Sequence, residues 1–183
     1  MFRKESTIED WLRFDIRTES ETVSAMMNET EFENFYNEHS RPLWNYVRRV
    51  ANSADIADDV VQESFLRMLG AKIREDANRR AYLYRIATNL VYDNFRRDSR
   101  ETKRQTNSDS TTESAYQPFA PESDVGKIFD KLKPQERALL WLAYVEGHDH
   151  AEIARMLGLK SISVRVLLFR ARRKLAGLLD EKI

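Results

Sequence analysis

Two segments of helical periodicity meet at Gly158, and that junction restricts the C-terminal third of the chain more than any other feature. Before it, Ile153, Ala154 and Leu157 recur at the spacing of one helix face, and the glycine supplies the left-handed residue that ends such a helix within a turn. After it, Ser161 stands where a helix cap belongs, and Val164, Leu167, Leu168, Ala171 and Leu175 form a second apolar stripe. Arg165, Arg172 and Arg173 project away from that stripe, Lys160 lies at the entry, and no acid occurs from Lys160 to Lys174. A helix, a tight turn and a second helix with one packed and one cationic face suit a segment that meets phosphate.

The rest of the chain predicts an all-α fold. Five glycines and four prolines in 183 residues leave long stretches of helical period and almost no alternation of period two. Helices are expected near 31–52, 53–69, 79–97, 125–132, 134–145, 150–157 and 162–179. Between 98 and 123 the sequence is polar, with too little apolar surface to offset the entropy of ordering, and reads as a flexible linker. It divides the chain into two small helical domains, 31–97 and 124–183, the second being the helix-turn-helix. An acidic extension, 1–30, precedes them; Ile8, Trp11, Leu12, Phe14 and Ile16 leave open a short amphipathic helix, a disordered extension or a start codon placed too early.

The net charge is zero, which argues against indiscriminate coating of nucleic acid, but the 79–104 segment and the C-terminal third are both basic. Without cysteine, disulfides and thiolate metal sites are excluded, and a reducing cytoplasm is the easier setting. There is neither a membrane-spanning apolar run nor a secretory signal, so no membrane insertion is expected. Gly147, His148, Asp149 and His150 with Glu152 fall short of a supported metal site; Gly147 more readily ends a helix, and Asp149 or His150 caps the next. No Gly-rich phosphate loop or nucleophile elbow is present, so neither a cofactor nor catalysis is expected.

Two further segments carry information. In 53–69, Ala57, Val60, Val61, Ser64 and Met68 share a buried side, while Asp55, Asp59, Gln62 and Leu66 lie opposite as a docking surface or as acids favoured by the helix dipole. In 81–97, Leu83, Ile86 and Leu90 point to a core, and Tyr84, Arg85, Thr88, Asn89, Tyr92, Phe95 and Arg96 occupy the other faces. Cations interleaved with aromatics suit partly melted nucleic acid, though the aromatics could equally be core. The polar loop 70–78 could present groups to an extruded base.

The run from Asp55 to Arg67, Asp-Ile-Ala-Asp-Asp-Val-Val-Gln-Glu-Ser-Phe-Leu-Arg, precedes the run from Tyr82 to Arg97, a linker and the helix-turn-helix. In that order the set resembles the extracytoplasmic-function sigma factors of bacterial RNA polymerase. The resemblance implies two helical domains, one gripping the polymerase clamp and the −10 promoter element, the other the −35 element. It implies that Asp58, Asp59, Gln62 and Glu63 dock on the clamp of the polymerase's largest subunit. It likewise implies that the 70–78 loop, including Asn78, faces the −10 region together with Asn89, Arg96 and Arg97. On the −35 side, it assigns Lys160, Ser161, Ser163, Arg165, Phe169, Arg170, Arg172 and Arg173 to DNA.

Tyr82 stands where the family usually has tryptophan. In the last helix Leu167 replaces an arginine, and Val166 and Phe169 are apolar where the family is polar, so that Ile162, Val166 and Phe169 share the face of Arg165 and Arg173. Thymine methyls, an inhibitory anti-sigma factor of the kind common in the family, or cover by another helix or by the Phe119 end of the linker would each account for them. The rival is a helix-turn-helix activator or repressor that acts without polymerase; an enzyme centred on His148 and His150 is a third reading.

Overall fold

The computed structural model describes residues 24–25, 27–71, 73–74, 78–105 and 124–180. Seven helices run in order through these residues: α1 (Glu29–Ala51), α2 (Ala54–Leu69), α3 (Arg79–Gln105), α4 (Asp124–Asp130), α5 (Pro134–Tyr144), α6 (His150–Leu157) and α7 (Ser161–Asp180). Two short strands, β1 (Ser24–Ala25) and β2 (Ile73–Arg74), form an antiparallel pair that period-two reading missed, being only two residues each.

Local chemistry sets most of the boundaries. Asn28 and Glu31 make a reciprocal capping box at α1, and Asn52 closes that helix in the left-handed region at φ 62°. Ser53 accepts from the Ile56 N–H to start α2, and Asn78 accepts from the Ala81 N–H to start α3. Asp149, not His150, caps α6 by accepting from the Glu152 N–H. Gly158, at φ 63°, ends α6 through a bond from its own N–H to the Ala154 carbonyl. Ser161 is the first residue of α7, which starts one residue earlier than expected.

The polar stretch after Arg97 departs from expectation. The third helix continues through Gln105, so 98–105 is helical, and the expected linker survives only as 106–123, outside the described residues. Low apolar content predicts the absence of core contact, not of helix, and residues 98–100 are indeed solvent-exposed. The acidic extension before Ser24 and Phe119 also lie outside the described residues.

The first half packs α1, α2 and α3 around Leu43, Tyr46, Val47, Val50, Val60, Phe65, Met68 and Leu83. The second half packs α5, α6 and α7 around Leu139, Leu142, Ile153, Met156, Val164 and Leu168. Each fully buried aliphatic side chain here contributes roughly 1.5–3 kcal/mol relative to exposure. The halves also close on each other, α3 against α6 and α1 against α5, so the two cores run together.

Candidate functional site

The seam between the halves explains a reversal on α3. Tyr84 and Thr88, expected on a nucleic-acid face, are 0% and 1% exposed, while Ile86 and Leu90 are only half-buried. The buried stripe is therefore Ala81, Leu83, Tyr84, Ala87, Thr88 and Val91, rotated toward the second half. The Thr88 hydroxyl donates to the Tyr84 carbonyl at 2.7 Å and shares a 2.7 Å bond with the Tyr46 hydroxyl. The Tyr84 hydroxyl donates at 2.9 Å to Glu146, whose other oxygen accepts from the Trp141 indole at 3.0 Å. Burial first, and the Glu146 carboxylate second, push the Tyr84 pKa far above the usual tyrosine value.

His148 sits in the same seam, its side chain 5% exposed. Its Nε2 faces Glu146 at 3.2 Å and also bonds Arg80, and its Nδ1 faces Glu152 at 3.2 Å. Both ring nitrogens are thus engaged with protein groups, and among the described residues no cluster of three or more His, Cys, Asp or Glu is arranged to hold a metal. At the far end of the seam, the Arg49 guanidinium lies 4.7 Å from the Phe129 ring centre and 3.8 Å from Asp130, and Arg137 lies 5.6 Å from Phe95. Single-residue patterning carries no signal for such contacts, since each partner is distant in sequence.

A second surface lies between α1 and α2. A shallow groove of about 730 Å³ there has Phe32, Tyr36, Trp44, Phe65, Leu66 and Leu69 among its walls. Asp58 and Gln62 line it as well, with Arg41. Asp58 accepts from the Trp44 indole at 2.7 Å, which holds its carboxylate in place. Asp59 and Gln62 are exposed, Leu66 is 55% exposed, and Glu63 is ion-paired with Arg67 at 2.7 Å one turn on. The four residues assigned to docking thus share one helix, two of them on the groove wall.

The residues assigned to the −10 region are spread along α3 and its start. Asn78 is exposed, but its side-chain oxygen is occupied by the cap; Asn89 and Arg97 are exposed, and Arg96 pairs with Asp93 at 3.5 Å. Ile73, in β2, is buried in the core cluster.

Lys160, just before α7, and Ser161, Arg165, Phe169, Arg170, Arg172 and Arg173 on it are exposed, and Ser163 is half-buried. Val164, Leu168 and Ala171 are buried against α5 and α6, and Leu167 and Leu175 are half-buried beside them. Arg172 donates to the Tyr144 hydroxyl at 3.2 Å. Ile162, Val166 and Phe169 remain exposed among the described residues.

Two family models divide along the same chain. The sigma-70 region 2 model matches residues 35–101, and the model of sigma-70 region 4 matches 123–175. The chain belongs to the extracytoplasmic-function (ECF) sigma factors.

An ECF sigma factor of Mycobacterium tuberculosis, SigL, is 29% identical over 161 residues, covering 80% of this chain and 87% of its own. SigE of Mycolicibacterium smegmatis, also an ECF sigma factor, is 28% identical over 147 residues, and the match spans 75% of this chain but 57% of SigE. The fold is similar to the sigma factor RpoE in complex with the anti-sigma factor NepR from Bartonella quintana, with a TM-score of 0.67 at 20% identity over 82% of this chain and 98% of that one. It is also similar to CnrH in complex with the cytosolic domain of CnrY, with a TM-score of 0.60 at 26% identity over 85% and 92% of the two chains. A free-standing activator or repressor has no use for the region 2 half, and the ECF sigma family accounts for both halves. No helix among the described residues is long and apolar enough to cross a membrane.

Proposed function

We propose that this sigma factor binds bacterial core RNA polymerase through α2 and directs transcription initiation by gripping the −10 element with its first half and the −35 element with its second. The observation that carries the reading is one chain with two unlike exposed surfaces: an apolar groove between α1 and α2 lined also by Asp58 and Gln62, and a cationic face on α7 with no acid from Lys160 to Lys174. The groove suits a protein helix, because apolar walls supply contact area and Asp58 and Gln62 on the wall supply orientation, with Asp59 exposed on the same helix beside them. The α7 face suits the phosphates of a duplex.

In this reading residues 31–97 are the polymerase- and −10-binding domain, 98–123 the connection, its first part (98–105) being the end of α3, and 124–183 the −35-binding domain, with 1–30 as an extension. Asp58, Asp59, Gln62 and Glu63 contact the clamp of the polymerase's largest subunit. Asn78, Asn89, Arg96 and Arg97 face the −10 region. Lys160, Ser161, Ser163, Arg165, Phe169, Arg170, Arg172 and Arg173 face the −35 element. The polymerase performs the chemistry, so the chain itself is no enzyme and acts in the cytoplasm. Because each half holds only part of the affinity, engagement of one raises the effective concentration of the other. An anti-sigma factor is a further partner, by analogy with the complexes of RpoE and CnrH.

The test is reconstitution with purified core polymerase on genomic fragments. Defined start sites that require the chain support the reading. Failure to bind core, with tight binding to a palindromic site alone, replaces it with a conventional helix-turn-helix regulator.

A further inference from the structure

We infer that Ile162, Val166 and Phe169 read thymine methyl groups at neighbouring steps of the −35 element, with Arg165 beside them for guanine; this rests on the reading of α7 given above and adds what it recognises. These three are among the large apolar side chains left in solvent, at 82%, 48% and 58% exposure. They recur at intervals of four and three residues, so they form one strip down the outer face of α7, opposite the packed Val164, Leu168 and Ala171. Arg165 flanks the strip on one side and Arg170 on the other, and Arg173 continues it one turn on; all three are exposed.

The charge pattern selects the occupant. An apolar strip bordered by cations, on a helix with no acid from Lys160 to Lys174, rewards a partner that is polyanionic at its edges and apolar at its centre. A major groove has that form: phosphates line its rims, and the thymine methyl is the apolar group its floor presents. From Ile162 to Phe169 the helix rises by roughly 10 Å, or about three base steps at 3.4 Å each. Beside the strip, a relief lined by Leu159, Ser163 and Leu167 in addition to Ile162, Val166 and Arg170 provides a recess into which a methyl can seat. Any helix placed over the same strip would have to supply carboxylates on both flanks, which makes a protein partner the competing occupant.

The experiment uses the full chain assembled with core polymerase. A −35 element is first selected from randomised sequence, and each thymine in it is then replaced by deoxyuridine, which removes the methyl and leaves every hydrogen-bonding group. Initiation should fall roughly four-fold for each contacted methyl. The loss should vanish at the matching position in Val166→Ala or Phe169→Ala, which alter exposed side chains and whose folding is checked by their assembly with core. Replacing guanine by 7-deazaguanine should remain costly in those variants and become neutral in Arg165→Ala. Deoxyuridine that is neutral at every position, or equally costly in wild type and variants, overturns the inference and gives the strip to a protein partner. If the full chain starts no transcription with core, the sigma reading itself has failed, and the inference falls with it.

Discussion

The Tyr84 hydroxyl bonds to Glu146 across 62 residues of sequence, joining the second turn of α3 to the turn before α6. Glu146 also meets Trp141, His148 and Arg80, so this carboxylate organises the seam rather than serving one partner. Tyr84→Phe should lower the stability of the whole chain by about 1 kcal/mol, the usual net worth of such a bond, while Glu146→Gln should cost more. In a double-mutant cycle read by urea unfolding, the two losses should fall short of additive, because the amide of Glu146→Gln has one acceptor oxygen for the two donors Tyr84 and Trp141 and so weakens the bond that Tyr84→Phe removes. Strict additivity would mean that the contact does not persist in solution.

Alkaline pH should weaken the fold. Burial pushes the pKa of Tyr46, Tyr84 and Tyr92 well above the usual tyrosine value in each case. A group whose folded pKa is raised contributes stability that is complete below its unfolded pKa and is lost as pH climbs past it toward the folded value. The urea midpoint should therefore hold steady to pH 9 and decline above about pH 10, where tyrosines of the unfolded chain ionise. Tyr92→Phe should flatten that decline; an unchanged pH profile would show that Tyr92 does not contribute to it.

Asp59 and Asp58 should behave differently despite being neighbours. Asp59 and Gln62 are exposed, so Asp59→Ala with Gln62→Ala should leave thermal stability within about 0.5 kcal/mol and weaken binding to core polymerase by ten-fold or more, in the manner of paired interface anchors. Asp58→Ala should lower stability as well, since it abandons the Trp44 indole. Normal core binding by the double variant, measured by competition against a labelled sigma factor, would remove the docking assignment.

Gly158→Ala tests the turn. The residue sits at φ 63°, and a Cβ there would stand 3.4 Å from the Arg85 Nε. The left-handed backbone alone costs an alanine roughly 1–2 kcal/mol. A loss of that size in unfolding, accompanied by weaker −35 binding than an exposed α7 substitution produces, is expected. Unaltered stability would show that the turn tolerates another geometry.

Much of this architecture was legible because its causes are local. Gly158, Asp149, Ser53 and Pro134 mark their helix boundaries through chemistry confined to one turn, and the stripe on α7 needed only the helical period. Tyr84 and Thr88 were misplaced for the opposite reason. A tyrosine and a threonine next to arginines look like a wet face until a second half supplies Glu146 and Tyr46 as partners, and no window of sequence contains those pairs. The extra turns of α3 were missed because residues 98–105 hold no apolar side chain from which a helical stripe could be read. Of the docking residues, Asp58 looked like Asp59 in sequence, and only the indole of Trp44, fourteen positions away, separates their roles.

The merging of the two cores has a consequence for how the molecule comes apart. Met156 and Leu157 of α6 and Val91 of α3 belong to the same buried cluster, so neither half presents a finished surface to solvent when severed from the other. The chain is thus two modules by sequence family but one body by thermodynamics, and it should melt in a single transition even after a protease has cut the stretch between 105 and 124. Such a nicked molecule would remain a non-covalent pair, held at the seam by Tyr84, Glu146, His148 and Arg80, and its two pieces would refold at a rate set by their concentration.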